Sequence, residues 1–186
     1  RMLEPIKILH VVGQLGRGGA EMRMLEILRN IDRRLHRFDF CALSGLPGEL
    51  DDEFRGLGAE IHHLRRGEIG FSWRFRQLLH QHRIDVVHTH VLNYAGIVLR
   101  LAAQSGIPVG VAQFRSSHDG RPDTAVRIAY RKWMRQRIGR YATYIEAVSE
   151  GAMRSIWGSR WQDDPRCRVI YDGLDPAPFA GPHECR

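Results

Sequence analysis

The 186-residue sequence is poor in cysteine and has no long apolar run. Its three cysteines, Cys41, Cys167 and Cys185, are too few and too scattered for a disulfide scaffold or a zinc knuckle. Such sparse usage favours a reducing compartment, so we expect a cytoplasmic location. No apolar run approaches the ~18 residues of a membrane span. The 43% hydrophobic and 26% charged residues are ordinary for a globular domain, which excludes disorder, collagen and coiled coil as whole-chain descriptions.

Several motifs of common catalytic and nucleotide-binding sites are also absent. The sequence has no G-x-S-x-G nucleophile elbow and no G-K-[ST] phosphate loop, so hydrolase and P-loop hypotheses lack their essential parts. The dinucleotide fingerprint G-x-G-x-x-G is missing as well. The acidic residue that would bind a ribose ~20 positions after such a fingerprint is missing too.

What the sequence does have is an excess of positive charge. It carries 28 Lys and Arg against 21 Asp and Glu, a net charge of +7, which favours an anionic partner. Basic residues concentrate in a predicted helix, where Arg127, Arg131 and Arg135 step by four and share a face beside Lys132. This face either contacts an anionic membrane surface or is an ordinary solvated face, and nucleic acid is the less favoured partner.

Short apolar segments alternate with amphipathic ones along the chain. Strands are predicted over residues 6–12, 38–43, 60–64, 85–90, 109–114, 144–149 and 167–171. Helices are predicted over residues 20–30, 49–57, 73–82, 94–104, 124–141 and 150–157. This alternation predicts an α/β fold: a Rossmann-like, doubly wound, mostly parallel sheet of about seven strands with helices on both faces. We expect residues 1–171 to form this domain, and the Pro- and Gly-rich residues 172–186 to begin a linker.

A glycine-rich loop follows the first predicted strand and opens the first helix. It contains Gly16, Gly18 and Gly19. Glycine lets a ligand approach the backbone, and a helix N-terminus offers free N–H groups to a phosphate. The alternative is a tight strand-to-helix turn that binds nothing.

Histidines stand at the predicted carboxyl ends of two other strands. His88 and His90 share one face of their strand. There they either contact a substrate or pack under the next helix. No Cys or Glu is spaced to complete a zinc site with them, so no metal site is predicted. His118 lies in a polar loop, residues 115–120, where a sugar or phosphate could be bound, although an exposed loop histidine can also be idle.

Taken together, five segments resemble the N-terminal half of a GT-B glycosyltransferase of the family-four (group 1) retaining type. They are residues 6–21, 85–90, the loop around His118, 147–150 and 169–175, in the family's order and spacing. One departure is that Asp172 stands where the family usually has Asn.

The resemblance implies two Rossmann-like domains that face a cleft, with the acceptor on the N-terminal side. Gly16, Gly18 and Gly19 would approach the diphosphate of a nucleotide-sugar donor, and His118 would lie near the transferred sugar. The acceptor side of the cleft would include His88, His90, Asn93, Arg115 and Ser149. The acceptor would be a polysaccharide or a lipid-linked glycan at the inner membrane face. No metal and no cofactor are expected, because the nucleotide-sugar is a substrate.

The donor domain implied by the resemblance is not within these 186 residues, so we expect this chain alone to be inactive. Two alternatives stay open at this point. One is a stand-alone Rossmann-like module that binds a nucleotide or nucleic acid. The other is a GT-B epimerase that acts on a sugar nucleotide.

Overall fold

The computed structural model describes residues 4–118 and 120–173, in which strands and helices alternate along the chain. The strands are β1 (Ile6–Val12), β2 (His36–Ala42), β3 (Ile61–His63), β4 (Val86–Thr89), β5 (Val109–Phe114), β6 (Tyr144–Ala147) and β7 (Cys167–Val169). The helices are α1 (Gly19–Asn30), α2 (Asp51–Gly56), α3 (Phe71–Gln81), α4 (Ala95–Gln104), α5 (Ala125–Tyr141) and α6 (Glu150–Trp157). Two short 3₁₀ turns, Leu92–Tyr94 and Trp161–Asp163, complete the described part.

The predicted alternation is confirmed element by element, and the differences lie at the ends. Helix α3 begins at Phe71, before the predicted residue 73, because Gly70 adopts a φ of 85° and turns the chain into the helix. Strand β3 is only three residues long. Of the predicted linker 172–186, the structure describes only Asp172 and Gly173, so the rest of that prediction lies outside the described residues.

All seven described strands join one sheet in the order β3-β2-β1-β4-β5-β6-β7. Every neighbouring pair is parallel, which makes the sheet fully parallel where we predicted a mostly parallel one. The chain winds outward from β1 in one direction and then from β4 in the other. Ligands of such sheets bind in the crevice at the carboxyl ends of the two strands where the order reverses, here β1 and β4.

Side chains of successive strand residues alternate between two packed layers. Leu9 and Val11 of β1 pack with α3 and α4 on one face. Phe38 and Phe40 of β2 pack with α1 and α2 on the other face. A third cluster joins β5 and β6 to α5 and α6, and the strand register puts it on the same face as Leu9. These layers bury the apolar surface that stabilises the sheet.

Among the described helices, only α1 and α2 pack on the second face, and they lie over β1 and β2. Further along the sheet this face carries polar side chains. His88 pairs in register with His10, and Glu146 pairs with Gln113. Tyr144, on the same face, is 43% exposed. This face is therefore partly open to solvent beside the histidines.

Candidate active-site cleft

The glycine-rich loop after β1 is held in place by one buried side chain. Leu15 is fully buried, and its carbonyl oxygen accepts a 3.0 Å hydrogen bond from the backbone N–H of Leu50. On either side of this anchor the loop is open. Gly18 is the N-cap of α1 and Gly19 is its first residue, and both are exposed. The loop therefore presents the N-terminus of α1 at the carboxyl edge of the sheet.

The glycines of this loop are not required by the fold of the described residues. A Cβ atom on Gly16 or Gly19 would meet nothing within 4 Å, and neither residue has a positive φ. At Gly18 an added Cβ would strike the Glu21 carboxylate, a flexible side chain. The turn itself therefore does not require glycine at Gly16 or Gly19.

The loop after β5 holds His118 in a defined orientation. The Ser116 hydroxyl donates to the His118 carbonyl oxygen at 2.9 Å, and the Gly120 N–H donates to His118 Nδ1 at 3.2 Å. Because Nδ1 accepts a hydrogen bond, the neutral ring carries its proton on Nε2. This assignment follows from the hydrogen bond. His118 is exposed and lines a cavity, to which it offers an N–H donor.

That cavity has a volume of about 770 Å³ and a basic lining. It lies between the loop after β5, helix α5 and helix α6. Its basic side chains are Arg121, Arg131, Lys132 and Arg135. Arg131 pairs with Asp123, and Arg135 donates to the carbonyl of Trp157 and lies 5.3 Å from its ring. Three of the four residues predicted to form a membrane face therefore line a cavity next to His118.

A second cavity of about 620 Å³ lies where the strand order reverses. Gly13 of the glycine-rich loop and His90 at the end of β4 line it, together with Arg127 of α5. Asn93 and Arg121 line both cavities, so the two cavities form neighbouring parts of one cleft.

Immediately before Asn93, Leu92 has a φ of 44°, a strained conformation that proteins tend to keep at functional sites. The 3₁₀ turn at Leu92–Tyr94 and the lining residue Arg121 were not predicted, although each follows a strand's carboxyl end.

Three residues predicted for the cleft have other contacts. Arg115 donates to the Asp172 carboxylate at 2.6 Å, and its side chain is 16% exposed. Ser149 is the N-cap of α6, and its hydroxyl accepts the Ala152 N–H at 3.1 Å. His88 packs against the His10 ring, with 5.1 Å between centroids.

His10 is a neighbour of the histidine pair that sequence reasoning missed. A 3.0 Å hydrogen bond joins its Nδ1 to Nε2 of His90. Burial holds the pKa values of His10 and His90 well below the usual range, and the positive charge of a protonated neighbour lowers them further. Burial, with Arg115 second, lowers the pKa of His88 to about 4. The three rings are therefore neutral at pH 7. The only sequence signal for His10 is its position in β1, which becomes informative once β1 is paired with β4.

No helix in the described ranges combines the length and the apolar character that crossing a bilayer requires.

The model of the glycosyl transferase 4-like domain matches residues 18–173. Among curated relatives, the capsular polysaccharide biosynthesis glycosyltransferase CapH of Staphylococcus aureus is 34% identical over 171 residues, which cover 91% of this chain and 48% of CapH. The putative glycosyltransferase EpsF of Bacillus subtilis is 26% identical over 182 residues, which cover 94% of this chain and 47% of EpsF. The chain thus spans about half the length of these relatives.

Solved structures show the same fold. HepE of Anabaena, crystallised with UDP-glucose, superposes with a TM-score of 0.70 at 15% identity, over 92% of this chain and 45% of HepE. MurG of Acinetobacter baumannii superposes with a TM-score of 0.61 at 11% identity, over 92% of this chain and 46% of MurG. The sheet order, the family match and these superpositions agree, and the chain belongs to the glycosyl transferase 4-like domain family, with the Rossmann-like fold of GT-B glycosyltransferases.

Proposed function

We propose that this chain is the acceptor-side domain of a glycosyltransferase that moves a sugar from a nucleotide-sugar to a polysaccharide or lipid-linked acceptor, with retention. The observation that carries the proposal is the cleft around Asn93. There the His118 loop, the glycine-rich loop and the basic side chains of α5 meet at the carboxyl edge of a parallel sheet. Charged sugar donors need such basic surroundings. The names of CapH and EpsF, and the UDP-glucose bound to HepE, support the assignment.

In this proposal the glycine-rich loop receives the donor diphosphate. Gly19 is exposed and Gly16 is half-buried, and the open space beside both lets phosphate oxygens approach the N-terminus of α1. Free N–H groups and the helix dipole there favour negative charge that grows on the leaving phosphate. The Glu21 carboxylate lies beside Gly18 and lines the same cleft, so it would have to turn away from an incoming phosphate.

Transfer then breaks the bond between the anomeric carbon and the phosphate oxygen. The acceptor hydroxyl attacks from the same face, and its proton passes to the departing phosphate, so that the configuration is retained. His118 Nε2–H donates to a hydroxyl of the transferred sugar and orients it. Helix N-termini and basic side chains stabilise the charge in this scheme, so the transfer step requires no metal and no cofactor.

The proposal includes a peripheral position at the inner face of the membrane, with the chain in the cytoplasm. The first turns of α5 support it, because Val126 is 81% exposed and Ile128 is 53% exposed beside basic residues. Exposed apolar groups next to cations suit an interface with anionic lipid. Lys132 is also exposed and adds to this charge.

The chain spans about half the length of its curated relatives, so the proposal includes that these residues alone do not catalyse transfer. The test offers a panel of nucleotide-sugars and glycan acceptors to the chain and to the full-length gene product, and measures transfer and product configuration by NMR. We expect a retained product from the full-length protein only. Transfer by the chain alone would contradict its inactivity, and an inverted product would contradict retention. A full-length protein that bound nucleic acid and transferred no sugar would favour the binding-module alternative, which the +7 charge suggests.

A further inference from the structure

We propose that His10, His88 and His90 form a binding site for a divalent transition metal of the imidazole-preferring class, for which Zn²⁺ is the probe. The proposed transfer assigns no chemical step to these three side chains, although His90 also lines the cleft. The site lies on the polar face of the sheet where β1 and β4 pair.

The geometry brings three imidazoles to one point. One ring nitrogen from each histidine lies within 4.8 Å of those of the other two. The His10 Nδ1 and His90 Nε2 atoms are 3.0 Å apart. Zinc binds imidazole nitrogens at about 2.0–2.1 Å, which places two nitrogens of a tetrahedral site about 3.3 Å apart. Small side-chain rotations would therefore bring the three nitrogens around one ion.

The rings are prepared to give lone pairs to a cation. His10 is 6% exposed, and the second nitrogen of its ring, Nε2, has no hydrogen-bond partner among the described residues, so Nε2 can carry the ring proton while Nδ1 binds the ion. His88 Nε2 is likewise buried and unpartnered there.

A carboxylate stands where it can balance the charge. An oxygen of Glu146 lies 3.8 Å from His88 Nε2. Glu146 would act as a fourth ligand or as a counter-charge, and it would thereby link β6 to β4 through the metal. The nearby cation Arg115 opposes a metal, but it is paired with Asp172.

An ion can reach this site from solvent. The side chains of His88 and Glu146 are 19% and 17% exposed. They lie on the sheet face that the described helices leave partly open. Because His10 lies in β1, His88 lies in β4 and His90 follows β4 directly, a bound metal would fasten these two strands together next to the cleft that His90 lines.

The described residues hold a second group of this kind, which provides a matched control. Glu60, His62 and His82 lie on the surface between β3 and α3, and their ligand atoms meet the same distance limit. Glu60 is already paired with Arg37 and with His82, however, so a metal would have to displace these partners.

The test is metal binding by the chain after chelator dialysis, followed by titration with Zn²⁺, Co²⁺ and Mg²⁺. We expect one equivalent of Zn²⁺ and of Co²⁺, a tetrahedral Co²⁺ spectrum, a raised Tm with Zn²⁺, and no response to Mg²⁺, which prefers oxygen ligands. His88→Gln should weaken Zn²⁺ binding at least tenfold, whereas His62→Gln should leave it unchanged. Glu146→Gln should weaken Zn²⁺ binding about tenfold, because the ion would lose a nearby negative charge.

The proposal is overturned if the chain binds no Zn²⁺, or if His62→Gln removes binding and His88→Gln does not. Should His88→Gln fail to fold, pulsed EPR of Cu²⁺ on the unaltered chain counts the bound imidazoles. Three coupled imidazoles support the buried site, because the surface group has only two histidines. Two or fewer overturn it.

Discussion

The Arg115 guanidinium donates a 2.6 Å hydrogen bond to the carboxylate of Asp172, a residue 57 positions further along the chain. The contact ties the end of β5 to the segment that follows β7. By the resemblance noted in the sequence, Asp172 stands where Asn would be expected. The carboxylate thereby gains a charge-assisted bond that an amide would make more weakly.

We expect this pair to contribute to stability by about 1 kcal/mol, because the Arg115 side chain is only 16% exposed. A double-mutant cycle with Arg115→Gln and Asp172→Ala, followed by urea unfolding, measures the coupling. The pair Arg160 and Asp163 is the control, because its side chains are 88% and 60% exposed and its coupling should be near zero. Equal coupling in both pairs would show that burial does not set the strength of the first.

The buried histidines should make the chain sensitive to acid. The folded-state pKa of His88 is about 4, below the usual 6.5, and those of His10 and His90 are also lowered. Below pH 6.5 the unfolded chain therefore binds more protons than the folded chain. The free energy of unfolding is unaffected by these groups above pH 6.5 and falls as the pH drops from 6.5 towards 4.

His88→Gln removes one of these groups. The slope of unfolding free energy against pH should become shallower by up to about 1.4 kcal/mol per pH unit, the value for one proton. Urea unfolding at several pH values between 4 and 7 measures it. His80→Gln, in an exposed residue, should keep the original slope. An unchanged slope in His88→Gln would mean that this ring is protonated in the folded chain.

The glycine-rich loop yields a test that separates ligand binding from folding. Gly19→Val places a side chain in open space, so the Tm should stay within a few degrees of the unaltered protein. The same side chain would obstruct a diphosphate, and kcat/KM of the full-length gene product should fall at least tenfold. Gly56→Ala, at a remote glycine with equally open surroundings, should change neither quantity. Full activity in Gly19→Val would show that the loop is a turn that binds no diphosphate.

His118 should matter for activity and not for stability, because its side chain is exposed. His118→Ala should lower kcat about a hundredfold, the scale of one lost transition-state donor. His118→Asn, which keeps an N–H donor on a shorter side chain, should recover part of the loss. Steady-state kinetics and a thermal melt of each variant measure these effects. Equal loss in both variants would argue against a donor role.

The basic side of α5 makes the membrane hypothesis testable. Neutralising Arg127, Arg131 and Arg135 to Gln should weaken binding to phosphatidylglycerol vesicles at least tenfold, since each cation near anionic lipid is worth about 1 kcal/mol. Vesicle co-sedimentation at two salt concentrations gives the partition coefficient. Neutralising Arg34, Arg83 and Arg160, three exposed arginines outside α5, is the charge-loss control. Binding unaffected by the α5 changes would remove this helix from the membrane hypothesis.

The elements of the fold could be predicted because each carries its own local pattern. The run from Ile6 to Val12 is apolar because β1 is largely buried, and helix α4 is rich in Ala and Leu because it packs on the sheet. Alternating strands and helices then allow few topologies. The site was harder to predict. Arg121 and the turn at Leu92–Tyr94 sit in loops, where neither periodicity nor turn chemistry indicates which residues will meet.

The sequence by itself determined the parallel α/β sheet, the loop that opens α1 and the family to which the chain belongs. The tertiary structure decided which side chains share a site. His10 and His88 are far apart in sequence and adjacent in space, because the register of β1 on β4 sets them side by side. Likewise Arg131 and Arg135 form one helical face in the sequence, but only the packing of α5 shows that this face lines a cavity beside His118. Register and packing depend on contacts between distant segments, which no local pattern records.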